Sequence, residues 1–164
     1  MLGHYVRDTD AVTASLLLTE MAAWYYAQGM TLFDALEALF KKYGFFGEKT
    51  FNLVMPGLDG VEKMANLMKT LRETPPREIA GVPVAVYKDY ADGTARDAAS
   101  GEVSKIALAG SNVLRFELAD GTHIVVRPSG TEPKIKVYVL TKGADARERD
   151  ANLEKYSVWV KTLA

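Results

Sequence analysis

The sequence contains no cysteine and only two histidines, His4 and His123, among its 164 residues. Without cysteine there can be no disulfides and no thiolate metal sites, and two histidines are too few for a multi-histidine metal cluster. Sequences without cysteine are typical of the reducing cytoplasm, and we expect the protein to be located there.

Long hydrophobic runs and an excess of one charge are also missing. The apolar run Leu16–Leu18 falls far short of the ~20 residues that span a bilayer. Residues 1–4 lack the basic and apolar regions of a signal peptide. Because 20 basic residues stand against 21 acidic ones, no global field favours nucleic acid or an anionic membrane. Any anion that this protein binds must therefore be held by a local site.

The first part of the chain is predicted to form a helical hairpin. Asp10 is suited to cap a helix over about 11–28, and Thr31 is suited to begin a second one that ends near residue 42, with Asp34 completing a near capping box. The first helix is apolar around much of its circumference, so it needs cover on more than one side. Two helices alone cannot supply that cover.

From about Glu48 the pattern changes to strands mixed with helices. The predicted order is a strand from about 48, a helix over 58–73, a strand over 82–88, a polar excursion over 89–111, a hairpin of 112–118 and 123–126, a strand over 135–140 and a helix over 145–163. The fold class that accommodates this order is α+β, with an antiparallel sheet and two helices on one face, preceded by the helical hairpin. We therefore predict two domains, 1–47 and 48–164.

One loop between two predicted strands, with the sequence RPSGTEPK, has the composition of a phosphate-binding site. A guanidinium can bind phosphate oxygens in pairs, a lysine adds a second charge, two hydroxyls add donors, and a glycine lets backbone N–H groups turn toward an anion. A proline-stiffened turn with incidental charges is the alternative, but so many donors within eight residues favour the anion site. The predicted ligands are Arg127, Ser129, Gly130, Thr131 and Lys134.

These eight residues resemble the phosphate-binding loop in the last domain of the α-D-phosphohexomutases. The continuation Ile135–Tyr138 is most similar to the phosphoglucomutase and phosphopentomutase branch, and the segments Val6–Ala11 and Lys42–Phe45 are similar to the end of the family's third domain. The resemblance implies that 1–47 is the C-terminal helical remnant of an α/β third domain and that 48–164 is the fourth domain. It also implies a weak substrate contact by Arg7.

The resemblance does not extend to catalytic parts of the family. Its phosphoserine lies in a T-A-S-H-N-P type of loop and its magnesium on a D-x-D-x-D loop. Thr13–Ser15 imitates the first but lies in a predicted helix, and the Asp8–Asp10 segment is better explained as a helix cap. We therefore expect no catalytic residue and no metal ligand here, an inactive fragment, and Mg²⁺ and the activator glucose 1,6-bisphosphate bound by the parent enzyme outside this fragment. Thr9 stands where many relatives have lysine, with a consequence that the sequence leaves open.

The function implied for the parent is that of an isomerase of the phosphotransferase type, which interconverts glucose 1-phosphate and glucose 6-phosphate. The present chain is expected to bind the phosphate that is not transferred. Phosphomannomutase and phosphopentomutase stay open as alternatives, because the segments that select the sugar are not in this chain. A stand-alone phosphate-binding module without catalysis is a further alternative. The expected partners are the phosphosugar and the N-terminal domains of the parent, and neither nucleic acid nor a membrane.

Overall fold

The computed structural model describes residues 10–163, which divide into two compact units, one ending at Gly44 and the other beginning at Phe45. No described helix is both long and apolar enough to cross a membrane. The helices are α1 (Ala11–Tyr26), α2 (Leu32–Tyr43), α3 (Gly60–Glu73) and α4 (Ala146–Lys161). The strands are β1 (Phe45–Val54), β2 (Glu78–Ile79), β3 (Val82–Asp89), β4 (Thr94–Asp97), β5 (Val103–Lys105), β6 (Leu114–Leu118), β7 (His123–Pro128) and β8 (Lys134–Gly143).

The first unit contains the predicted helical hairpin. The Asp10 carboxylate caps α1 by accepting hydrogen bonds from the backbone N–H groups of Val12 and Thr13, at 2.9 and 3.2 Å. Thr31 caps α2 in a reciprocal capping box with Asp34. Each cap satisfies backbone donors that the first helical turn leaves without partners, which explains why the helices begin at these residues.

The second unit contains an open antiparallel sheet with the strand order β1-β8-β7-β6-β3-β4-β5, and β2 pairs with β3 beside this path. Alternate residues of the central strands are completely buried, among them Phe116, Ile124 and Val137. Helices α3 and α4 add Met68 and Tyr156 to the same core. Both helices therefore lie on one face of the sheet, which confirms the α+β fold class.

The polar excursion predicted over 89–111 is the main difference from the sequence-based expectation. It contains β4 and β5, which form a hairpin and extend the sheet beyond β3. The strands have only four and three residues, too few to show a clear alternation of apolar and polar side chains. The strand predicted from about 48 likewise begins earlier, at Phe45.

Helix α4 is fastened to the turn between β6 and β7 through Asp120. The Tyr156 hydroxyl donates a hydrogen bond to the Asp120 carboxylate, which also accepts one from the Thr122 N–H at 2.9 Å. Burial opposes ionisation of Asp120, but these hydrogen bonds outweigh it and hold the pKa of this carboxyl below its ordinary value. Burial and the bond to Asp120 raise the pKa of Tyr156. The turn and the helix are thus joined by a charge-assisted contact.

We expect Tyr156→Phe to lower the free energy of unfolding by about 2 kcal/mol, since it removes a hydrogen bond to a charged group without opening a cavity. The effect should shrink as the pH falls below ~4, because the lowered pKa of Asp120 stabilises the fold only while the carboxyl is ionised. Urea denaturation at two pH values measures both effects. Tyr138→Phe is the matched control, since the Tyr138 hydroxyl has no partner among residues 10–163; equal losses in the two variants would contradict this account.

Candidate functional site

The 127–134 loop (Arg127–Lys134) closes the hairpin between β7 and β8. The two strands pair as far as Pro128 and Ile135. The Ser129 N–H then donates to the Lys134 carbonyl at 2.8 Å, and the Lys134 N–H donates to the Glu132 carbonyl at 2.7 Å. The tip of the loop is therefore short and held at its base by regular sheet.

The end of the loop that leads into β8 is hydrogen-bonded to another part of the second unit. The Met55 N–H donates to the Pro133 carbonyl at 2.9 Å. Helix α3 begins directly beside this contact: a Cβ built on Gly60 would lie 2.1 Å from the Met55 carbonyl oxygen and 3.2 Å from Pro133 Cβ. Only glycine permits this approach, so the start of α3, the end of β1 and the loop are fixed against one another.

Two cations that form no ion pair with any described carboxylate lie at the base of the loop. Arg127 is exposed and directly opposite Lys136 in the antiparallel register. Neither side chain pairs with a carboxylate among residues 10–163. Like charges directly opposite one another destabilise a sheet, and a bound anion would offset that cost. Lys136 is not among the predicted ligands, although it lies two residues beyond Lys134 and its position opposite Arg127 follows from the register once the loop is closed.

Lys134 is engaged within the loop itself. Its ammonium forms an ion pair with the Glu132 carboxylate. The hydrogen bond from Lys134, together with its charge, holds the pKa of Glu132 below its ordinary value, and Lys136 contributes in the same direction. Lys134 therefore offsets the negative charge of Glu132, the one acidic residue of the loop, which would otherwise repel an anion.

The tip of the loop presents several donors that have no partner in the described part of the chain. The backbone N–H groups of Gly130 and Glu132 have no acceptor there, and the Thr131 N–H has only a long contact of 3.5 Å to Ser129 Oγ. The hydroxyls of Ser129 and Thr131 donate to no described group. Together with Arg127, these groups suit an oxyanion, because each would gain an acceptor when one binds.

Gly130 lies at the open tip of the loop. Its backbone is not left-handed, so the turn does not depend on the conformational freedom of glycine. A Cβ built on it would meet no atom within 4 Å. The glycine therefore leaves open space at the tip of the loop, beside the unpaired donors.

We expect Gly130→Ala to leave the free energy of unfolding within about 0.5 kcal/mol of wild type, since it introduces neither strain nor a clash. The same methyl group would occupy the open space, so the affinity for phosphate should fall several-fold. Thermal unfolding and a phosphate titration measure the two quantities separately. A variant that loses stability but binds phosphate as wild type does would show that the glycine is structural.

An open depression of about 740 Å³ lies between this loop and α3. One wall consists of Arg127–Gly130, a second of Ser111–Val113, and the floor of apolar side chains of α3, namely Val61, Met64, Ala65 and Met68. The depression is large enough for a small organic ligand. Ser111 and Asn112 bring polar groups to the depression, and neither is among the predicted site residues.

The remaining candidates lie apart from the loop. Arg7, predicted to make a weak substrate contact, lies outside the described residues. His123 lies on the face of the sheet opposite α3 and α4, where its Nδ1 accepts from Arg115 beside the ion pair of Lys88 with Glu117. Burial, then the charge of Arg115, lower the pKa of His123. Within residues 10–163, no three acidic, histidine or cysteine side chains are grouped as metal ligands would be.

Comparison with known proteins finds one family that fits this geometry. A family model described as the C-terminal domain of phosphoglucomutase/phosphomannomutase matches residues 63–152. The chain is 38% identical over 135 residues to a phosphoglucomutase of Staphylococcus epidermidis, covering 82% of this chain and 24% of the relative. It is 38% identical over 141 residues to a phosphoglucomutase of Staphylococcus aureus, covering 86% of this chain and 25% of the relative. The chain thus spans about a quarter of the length of the curated relatives it matches.

A solved structure supports the fold. The chain resembles the open form of parafusin from Paramecium, an exocytosis-sensitive phosphoprotein described as a phosphoglucomutase, with a TM-score of 0.54. The match covers 98% of this chain and 28% of that one, at 19% sequence identity. At this identity the likeness concerns the fold alone.

Proposed function

This chain belongs to the phosphoglucomutase/phosphomannomutase family, and we propose that it binds, through the 127–134 loop and Lys136, the phosphate that a phosphohexomutase does not transfer. The observation that carries the proposal is the pair of cations Arg127 and Lys136, which form no ion pair among residues 10–163, beside N–H and hydroxyl donors that have no good acceptor there. These groups are proposed to bind the anion as hydrogen-bond donors and positive charges and to take no part in bond cleavage. Their contribution to catalysis is to fix one end of the substrate, so that binding energy there positions the reacting end.

The parent enzyme is proposed to be an isomerase that interconverts glucose 1-phosphate and glucose 6-phosphate. Its phosphoserine, its Mg²⁺ and the activator glucose 1,6-bisphosphate would act through domains outside this chain. The sugar is the least determined part of this proposal, since a loop that grips phosphate also serves a phosphomannomutase or a phosphopentomutase.

The two domains are proposed to be the end of the third mutase domain (1–47) and the fourth domain (48–164). The helical hairpin supports this assignment, because α1 and α2 leave large apolar side chains exposed. Leu16 is 63% exposed, Trp24 60% and Phe33 81%. Further parts of the third domain would cover such side chains, and an independent module would be expected to cover them itself.

Isothermal titration of the 164-residue chain with glucose 6-phosphate, glucose 1-phosphate and glucose tests the phosphate-binding role. We expect both phosphosugars to bind with similar affinities and glucose to give no heat above dilution, because the loop recognises the phosphate rather than the sugar. Equal heats for glucose and its phosphates, or none for any ligand, would refute the proposal.

We expect the chain alone to show no mutase turnover, since the proposed nucleophile and metal loops are supplied by other domains. A coupled assay with glucose 1-phosphate, glucose 1,6-bisphosphate and Mg²⁺ measures this. Adding an active phosphoglucomutase to the same sample is the positive control for the coupling enzymes. Turnover that copurifies with the chain and disappears in the Arg127→Ala variant would overturn the assignment as an inactive fragment.

A further inference from the structure

A buried carboxylate organises one wall of the depression beside the loop. Asp89, at the end of β3, is only 3% exposed. It forms an ion pair with the Arg72 Nε of α3 at 2.6 Å and accepts a hydrogen bond from the Ala91 N–H at 2.9 Å. The Arg72 Nη2 then donates to the Asn112 Oδ1 at 2.8 Å. The three side chains link α3, the end of β3 and the segment before β6.

This chain of contacts fixes the direction of the Asn112 amide. Arginine can only donate hydrogen bonds, so the side-chain oxygen of Asn112 faces Arg72 and its NH₂ group faces elsewhere. That NH₂ group has no acceptor within residues 10–163. Because an ion-paired arginine already holds the amide oxygen, the Asn112 side chain loses little further conformational entropy when a ligand binds.

Asn112 lies in the segment just before β6, whose first residue Leu114 pairs with Val126 of β7. Asn112 and Arg127–Gly130 also line the same depression. An anion held in this depression by the Ser129 hydroxyl and the Gly130 N–H would therefore share it with the Asn112 amide.

We infer that Asn112 is a further ligand of the phosphate, whose oxygen accepts a hydrogen bond from the Asn112 NH₂ group. Arg72 and Asp89 are positioning residues, which hold the amide with its donors toward the anion. This inference rests on the proposed function, since it requires that the 127–134 loop binds phosphate. It extends the site across the depression, from the loop to the segment before β6.

A bracing role for Asn112, in which it only supports Arg72, predicts the opposite response to one substitution. In Asn112→Asp the carboxylate still accepts from Arg72 with nearly the same shape, and the added charge strengthens that contact. The variant cannot donate, however, and it repels an anion. If Asn112 binds the phosphate, the aspartate variant should therefore bind phosphate more weakly than the alanine variant does. If Asn112 only supports Arg72, the alanine variant should be the weaker of the two.

The experiment is a titration of the 164-residue chain with inorganic phosphate, followed by the backbone amide resonances of the loop, together with thermal unfolding of each variant. We expect Asn112→Ala to bind phosphate about tenfold more weakly than wild type, the usual effect of losing a hydrogen bond to a charged group. Asn112→Asp should bind more weakly again while unfolding at a temperature no lower than Asn112→Ala. Asn66→Ala, an exposed residue of α3 that does not line the depression, should match wild type.

The outcomes separate this inference from the proposed function. Loss of binding in Arg127→Ala with wild-type affinity in both Asn112 variants would overturn the role of Asn112 alone. Binding by Asn112→Asp that equals or exceeds that of Asn112→Ala would also overturn it, in favour of the brace. Equal binding by wild type and Arg127→Ala, or none by wild type, would overturn both proposals.

Discussion

Replacing Arg127 by alanine is expected to weaken the binding of glucose 6-phosphate to this chain by about ten- to a hundredfold. The guanidinium is exposed and has no counterion in the described part of the chain, so its hydrogen bonds are available to the phosphate. A charge-assisted hydrogen bond of this kind contributes about 1.5–3 kcal/mol. In an intact parent enzyme the same loss would appear as a similar fall in kcat/KM.

Two further variants make the Arg127 measurement specific. Arg127→Lys keeps the charge but loses the paired donors, so its affinity should lie between those of wild type and alanine. Arg147→Ala removes an exposed arginine of α4 that lies apart from the loop, and it should bind as wild type does. If Arg147→Ala and Arg127→Ala were equally impaired, the effect would arise from overall charge and the loop would be only a turn.

The largest expected loss of stability belongs to Arg72→Ala, at about 3 kcal/mol. The substitution leaves the Asp89 carboxylate, with a side chain only 4% exposed, without its ion-pair partner. An uncompensated buried charge of this kind is strongly destabilising. Urea denaturation gives the free energy of unfolding of each variant.

The neighbouring residue Lys69 provides the control for Arg72. Lys69→Ala removes an exposed ion pair with Glu73 at 3.9 Å on the same helix, which contributes less than about 1 kcal/mol. The double variant Arg72→Ala/Asp89→Ala should recover part of the loss, because no buried charge remains. A single Arg72→Ala variant as stable as Lys69→Ala would contradict the bracing of the depression by Asp89.

The parts of the fold that the sequence predicted are those with strong local signals. The caps at Asp10 and Thr31 depend on residues three positions apart, and the hairpin around Asp120 depends on a turn motif. Strands β4 and β5 lack such a signal, because they are short and polar and depend on pairing with β3. Long-range backbone pairing of this kind cannot be recognised from periodicity alone.

The candidate site likewise contains some residues that the sequence predicts and others that it does not. The donors of the 127–134 loop are contiguous, so their composition is visible in the sequence. Lys136 depends on the register across the loop, and Asn112 depends on a contact with Arg72, which is 40 residues away. The orientation of the Asn112 amide further depends on a buried carboxylate, which no spacing rule connects with the loop. These residues required the three-dimensional structure.

The most direct test of the phosphate site is a map of where inorganic phosphate binds, obtained from the backbone amide shifts of the ¹⁵N-labelled chain during a titration. The account predicts that the largest saturable shifts occur at Gly130, Thr131 and Glu132, whose N–H groups lack a good acceptor among the described residues. Shifts of similar size should be absent around His123, which lies at the opposite end of β7 from the loop. No saturable shift in the loop, or the largest shifts around Arg115 and His123, would contradict the central claim.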